Sequence, residues 1–277
     1  MLRIGENDYR LVGLDTNALS AVAMDRGNCR RGYFSHFSSY ATCFSPYSVL
    51  ELRQHSAAYE AFLELFDVVP CAMLKNEEML FNDERNVYPT ASGIDPLLLG
   101  FSLLNRERGT NLRSVLDAGM VLPETAQREA EWPELKRELL AEWLDLKPNF
   151  QPKGDTFKPG DGCRFVDEAA LQHIAYRAPK WIRRRAKKSL PIDSHAFPSI
   201  RMTLWTIYFR LYWAHRRKGE VQDVFDALIS TPAPYLDAIV TENFQAQIYR
   251  DVSSLEPGLL NLEVYTLSDL ERFGGHA

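Results

Sequence analysis

The sequence predicts an α/β protein: a three-layer α/β/α fold on a central parallel sheet, with a mostly helical insertion in the middle of the chain. Three observations predict it. Short apolar runs alternate with helix-period stretches at both ends of the 277 residues, as in a parallel sheet covered on both faces. Residues 73–191 show helix-like periodicity with no clear strand and no repeat. Finally, the apolar run "RLVGL", residues 10–14, ends on Asp15 just before a helix, at the sheet edge where such folds bind ligands.

In chain order, "RLVGL" is a short buried strand and "TNALSAV" opens the next helix. In "CFSPYSVLELRQH", residues 43–55, Ser45 is placed to cap a helix whose first residue is Pro46. Val49, Leu50 and Leu52 give that helix an apolar side, and Glu51 lies on it. "YEAFLELF" is helical and "DVVPC", 67–71, is a short strand. Within 73–191, "NEEMLFNDERN", "DPLLLGFSLLNRERG", "ETAQREAEWPELKRELLAEWLDL" and "DEAALQHIAYRAPKWIRRRAKK" read as helices, the last two parted by a Pro- and Gly-rich loop. From 192 the alternation resumes with one long apolar helix stopped at Gly219. The short helix "VQDVFDALIS" (221–230), the strand "DAIVT" (237–241), the helix "FQAQIYRDV" and the strand "NLEVYTL" (261–267) follow. The chain thus divides into 1–72 with 192–277, which carry the sheet, and the insertion 73–191.

Composition narrows the function classes. Hydrophobic residues at 45% and charged ones at 25% are ordinary globular values. No window approaches the roughly 18 uninterrupted apolar residues of a membrane span. "MLRIGENDYR" lacks the apolar stretch of an export signal, so a cytoplasmic protein without membrane contact is expected. Cys29, Cys43, Cys71 and Cys163 have no CxxC spacing and read as small buried hydrophobes. His173, His195 and His215 are scattered, against a zinc hydrolase. A GxSxG elbow, a phosphate-binding Gly-rich loop and a dinucleotide fingerprint are absent.

The net charge of −5 gives no overall pull toward nucleic acid. Its distribution is uneven, with "KWIRRRAKKS" (180–189) and "HRRK" (215–218) strongly basic. Arg183, Arg184, Arg185, Lys187 and Lys188 could position phosphates, although such a run is more often a solvated helix face. Tyr176 and Trp181 interleave with these charges and could stack bases, while packing the core of the insertion is the plainer role for both.

Four acids converge in the expected sheet: Asp15 after the first strand, Glu51 on the helix after it, Asp226 on a late helix, and Glu242 after "DAIVT". Each alone has an ordinary reading. Asp15 can cap a helix, Glu51 can be a surface residue, Asp226 a paired acid, and Glu242 a cap for "NFQAQIYRD". Gathered in one crevice, they repel and raise one another's pKa values. A hard divalent cation removes that repulsion, and can activate a water and stabilise charge on a phosphodiester. Asp223, one turn before Asp226, is a supporting or alternative acid. Asp237 precedes its strand and belongs to the opposite end of the sheet.

In their order, "GLDTNALS", "SPYSVLEL" and "DVFDALIS…PYLDAIVTENF" resemble the PIN-domain nucleases, including the VapC-type toxin ribonucleases. That family pattern has a strand ending in Asp, then Ser/Thr and often Asn. A Glu on the next helix and an Asp on a helix before a strand ending in Thr-x-Asp/Asn complete it. Asp15, Thr16 and Asn17 match the first motif, Glu51 the second, Asp226 the third, and Thr241 with Asn243 the fourth, where Glu242 stands in for the usual acid. The resemblance spans about residues 8–72 and 192–270. It implies a PIN-like fold and a Mg²⁺- or Mn²⁺-dependent endoribonuclease. Asp15, Glu51, Asp226 and Glu242 would be catalytic and hold the metal with Asn243; Thr16 would hydrogen-bond a ligand carboxylate or the scissile phosphate, Asn17 would orient Asp15 more than touch substrate, and Thr241 would touch substrate. RNA is the implied substrate, with DNA left open. Toxin members add an antitoxin, a small protein partner that enters the crevice, and self-association stays open. The contrasting class of function is a PIN-like binding or scaffold module, catalytically weak or inactive, that acts through 73–191.

Overall fold

The computed structural model describes residues 2–4, 7–90, 92–101, 109–120, 133–145, 158–213 and 219–275. The protein is α/β, with a mostly parallel sheet between helices. Strand β1 (Leu2–Ile4) pairs antiparallel with β2 (Asn7–Leu14). On one side of β2 lie β3 (Tyr40–Phe44) and then β4 (Cys71–Leu74), both parallel. Strand β5 (Leu97–Phe101) closes that edge, antiparallel to β4. On the other side of β2 lie β6 (Ala238–Thr241) and β7 (Glu263–Thr266), again parallel. The path across the sheet is β5-β4-β3-β2-β6-β7.

The first half contributes helices α1 (Thr16–Ala23), α2 (Cys29–His36), α3 (Pro46–Arg53), α4 (Ser56–Phe66), α5 (Glu77–Val87) and α6 (Leu112–Met120). Helix α7 covers 133–145, followed by α8 (Pro159–Arg177) and α9 (Pro179–Ala186). The last third adds α10 (Pro198–Ile207), α11 (Val221–Ser230), α12 (Asn243–Leu255) and α13 (Leu267–Gly275).

The period of two along each strand sorts the layers. Val12 and Leu14 of β2, with Ala238 and Val240 of β6, bury against α1, α2 and α4. Ile239 of β6 points the other way, into a core shared with α8, α10 and α12. Ser45 accepts from the Tyr47 N–H at 3.2 Å, ahead of Pro46, so α3 starts where its cap chemistry places it. Cys29, Cys43 and Cys71 are buried and unbridged. Among the described residues, no helix is long and apolar enough to cross a membrane.

Three elements differ from the sequence expectation. Leu97–Phe101, read as part of a helix, is the strand β5: it satisfies the backbone of β4's outer edge, which would otherwise be bare. The strand expected over 67–71 instead runs Cys71–Leu74, because Pro70 cannot donate to a ladder; its carbonyl only accepts from the Thr42 N–H at 3.2 Å. The long apolar helix is α-helical to Ile207 and then π-helical over Tyr208–Trp213. Its expected stop at Gly219 cannot be followed, since the "HRRK" patch with His215 lies outside the described residues, as does most of the loop before α8.

Helix α5 is tied to the last third of the chain by Glu84, which is fully buried. Its carboxylate accepts from the Ser199 N–H and hydroxyl, both at 2.7 Å, and from the Tyr235 hydroxyl. Burial outweighs these bonds and pushes its pKa from an ordinary 4.5 up to about 7. Between those values the folded chain holds a proton that the unfolded chain has lost, so stability falls as pH rises through this window. Glu84→Gln, whose amide can keep all three partners, should flatten the pH dependence of thermal unfolding between about pH 4.5 and 7 by on the order of 2–3 kcal/mol. Equal slopes for variant and wild type would show that another group titrates there.

Candidate functional site

From β2 the chain moves across the sheet through β3 and β4, and its last third returns on the opposite side as β6 and β7. The reversal lies between β2 and β6, and the carboxyl ends of the strands at such a point open a crevice. Asp15 follows β2 and Glu242 follows β6. The Asp15 N–H donates to the Val240 carbonyl at 3.3 Å, which holds the two strand ends together.

Asp15 is buried and both of its oxygens are used. Oδ1 accepts from the Ala18 N–H at 2.7 Å and so caps α1. Oδ2 accepts from the Thr241 hydroxyl and from the Glu242 N–H at 3.1 Å. Burial pushes the Asp15 pKa up; the bonds from Thr241, Ala18 and Glu242 pull it down, and the Glu242 charge adds to the rise. Glu51, also buried, accepts from the Thr16 hydroxyl and the Gln222 amide. Its pKa too is raised by burial against those bonds, with Lys136 lowering it and Asp15 raising it. Lys136 comes from α7 and places its ammonium 3.8 Å from the centre of the Phe225 ring.

A guanidinium holds the remaining acids. Arg210, on the π-helical turn, is 1% exposed. Its Nη1 lies 2.7 Å from Asp226 and 3.2 Å from Asp223, and its Nη2 2.8 Å from Glu242. Nε donates to Gln245 at 3.0 Å. Asp223 also accepts from the Glu220 N–H at 2.8 Å, in the capping box of α11. Despite Arg210, the Asp226 pKa is pushed up to about 7, first by burial and then by Glu242, Asp15 and Glu51. All four acids singled out from the sequence therefore share one electrostatic neighbourhood.

Several smaller expectations change. Thr241 is completely buried and cannot meet a substrate; its hydroxyl positions Asp15. Thr16 takes the first of its two expected roles, its hydroxyl donating to the Glu51 carboxylate. Asn17 and Asn243 are exposed, and among the described residues neither makes a side-chain hydrogen bond, so Asn17 does not orient Asp15 and Asn243 does not join the acids. Asp237 lies at the far end of the sheet, accepting from the Leu11 N–H at 2.7 Å. In the basic run, Arg183, Lys187 and Lys188 are exposed. Arg185 is committed to structure: it donates to the Pro191 carbonyl at 2.9 Å and lies over the Tyr88 and Trp181 rings. Trp181 packs against Tyr88 and Phe197, whereas Tyr176 is 85% exposed.

The donors are carboxylate oxygens, the kind that Mg²⁺ and Mn²⁺ prefer. Their arrangement is another matter. Among the described residues, no group of three or more His, Cys, Asp and Glu side chains could hold a metal ion, and Arg210 stands between Asp223, Asp226 and Glu242. As placed, these residues fit a guanidinium and not a divalent ion. Arg210, Lys136, Gln222 and Gln245 escaped the sequence reading. The available signal was the lone arginine in the apolar stretch "LWTIYFRLYW", since a buried Arg requires carboxylates.

No family model, curated protein or solved structure matches the chain. The likeness to PIN-domain nucleases rests on its motifs alone.

Removing the guanidinium leaves three acids unbalanced. Arg210→Met should lower stability by about 3–5 kcal/mol, and millimolar Mn²⁺ should raise its unfolding midpoint more than that of wild type. A variant as stable as wild type in chelator would show that the acids do not depend on Arg210.

Proposed function

We propose that this chain is a PIN-like nuclease with a three-layer α/β/α fold, a cytoplasmic enzyme that hydrolyses phosphodiester bonds in RNA with Mg²⁺ or Mn²⁺. The observation that carries this reading is the meeting of Asp15, Glu51, Asp226 and Glu242, from four separate segments, at the reversal point of the sheet. Buried acid in excess of the cations beside it destabilises a fold, and functional sites are where such excess is found. Asp15, Glu51, Asp226 and Glu242 are the residues that would hold such an ion, which would supply an activated water and charge stabilisation at a phosphodiester. The protein's part is to hold the acids: Ala18, Thr241 and Glu242 fix Asp15, and Thr16 with Gln222 fixes Glu51. With Arg210 on Asp226 and Glu242 the acids take no ion, so activity depends on that guanidinium leaving them.

Arg210 itself favours a second reading, a catalytically silent PIN-like module acting through 73–191. An internal cation then does permanently for the acids what an ion would do reversibly.

Cleavage of single-stranded RNA in millimolar Mn²⁺, with thermal unfolding of the same samples, separates the two. The nuclease cleaves, and Asp15→Asn and Asp226→Asn do not. Thr241→Val, which loosens Asp15, should cost about 10–100-fold in rate or metal affinity. Absence of both cleavage and a Mn²⁺-dependent shift in wild type would leave the silent module.

A further inference from the structure

A second site is built from elements that the acidic crevice does not use. The C-terminal part of α5, the end of α8 and the start of α9 enclose a cleft of about 600 Å³. Arg85, Arg177, Lys180 and Arg184 line it with Trp181 and Asn86, and no acid does. Among the described residues, no carboxylate comes within ion-pair distance of Arg85, Lys180 or Arg184, and Arg177 approaches Glu77 only to 3.9 Å. Arg177 also has a buried Nη1 with no hydrogen-bond partner. The guanidinium groups of Arg85 and Arg177 both lie 5.8 Å from the Phe81 ring centre, so one aromatic holds two like charges close together. Helix α9 starts on this cleft with no side-chain cap and no acid in its first turn, and its positive end adds to the field. In a chain of net charge −5, four cations gathered here, only one of them near a carboxylate, repel one another and favour an anion among them.

The cleft and the crevice are neighbours. Tyr47, one turn before Glu51 on α3, donates to Glu77 at the start of α5, and Glu77 is the residue that Arg177 approaches. Tyr47 and Glu77 thus connect Arg177 to the helix that carries Glu51.

We propose that this cleft binds the phosphate backbone of a single-stranded nucleic acid, with Arg85, Arg177, Lys180 and Arg184 around the phosphates and Trp181 as an apolar wall for a sugar or base. The choice of a nucleic-acid strand rests on the nuclease reading; the anion site does not. Of the basic run singled out in the sequence, Lys180 and Arg184 line the cleft, and Arg183, Lys187 and Lys188 contribute only a general positive field.

The test is binding of fluorescent single-stranded RNA and DNA octamers to the full chain in chelator, over a range of salt, with orthophosphate and a mononucleotide as competitors. Lys180→Gln changes an exposed residue and carries little folding risk, and Arg177→Gln is combined with it. The double variant should bind the strands roughly tenfold more weakly. Its plot of log affinity against log salt should be shallower by about 0.7 for each phosphate that the removed cations neutralise in wild type. A double variant that melts like wild type and keeps affinity and slope overturns the proposal, as does binding of orthophosphate but no strand. Cleft-dependent binding without Mn²⁺-dependent cleavage upholds the cleft and removes the nuclease reading. Cleavage with unchanged binding in the double variant does the reverse.

Discussion

More carboxylate is buried at the carboxyl ends of β2 and β6 than one arginine can neutralise, and the surrounding structure is organised around that imbalance. Asp15 is made tolerable by a helix start and a threonine hydroxyl, Glu51 by a hydroxyl and an amide, and Asp226 with Glu242 by Arg210. Each compensation comes from a different part of the chain, so the crevice cannot form until α1, α3, the π-helical turn, α11 and β6 are all in place. A partly buried charge that depends on distant partners makes such a region cooperative, because removing one partner exposes the repulsion among the rest.

The segment between the two sheet-forming regions takes part in this arrangement. Lys136 of α7 tempers Glu51, and Leu139, Leu140 and Trp143 of the same helix pack with Tyr47, Phe225 and Leu228 around α3 and α11. Glu84 of α5 closes the start of α10, the helix that leads into Arg210. Strand β5 extends the sheet from within the same segment. The middle of the chain therefore supplies a strand, apolar packing and a counter-charge, and the basic cleft lies entirely in it.

Much of this was legible because it depends on local chemistry. An acid at the end of an apolar strand, a Ser-Pro helix start and the alternation of strands with helices are short-range patterns, and they located Asp15, Ser45, Glu51 and Asp226 well. What the sequence left hidden depends on which face a residue takes. Asn17 follows Thr16 on a helix, where one position turns the side chain by about 100°, so one meets Glu51 and the other meets water. Thr241 is marked by its strand-end motif, but its inward alternation on β6 toward Asp15, away from any substrate, follows only from the sheet register. Leu97, Leu98 and Leu99 form an apolar run too short to separate an edge strand from a helix. The partners of Arg210 lie 13 to 35 residues away in sequence, beyond any local period.

The π-helical turn that carries Arg210 packs one more residue into its coil than an α-helix would. Deleting a single residue just ahead of Arg210 would restore the tighter coil and turn the guanidinium around the axis, out of its present register with Asp226 and Glu242. Whether these acids face a fixed cation is thus encoded in chain length as well as residue identity. An insertion or deletion of one codon, too small to alter the sheet, could convert a sealed acidic crevice into an open one.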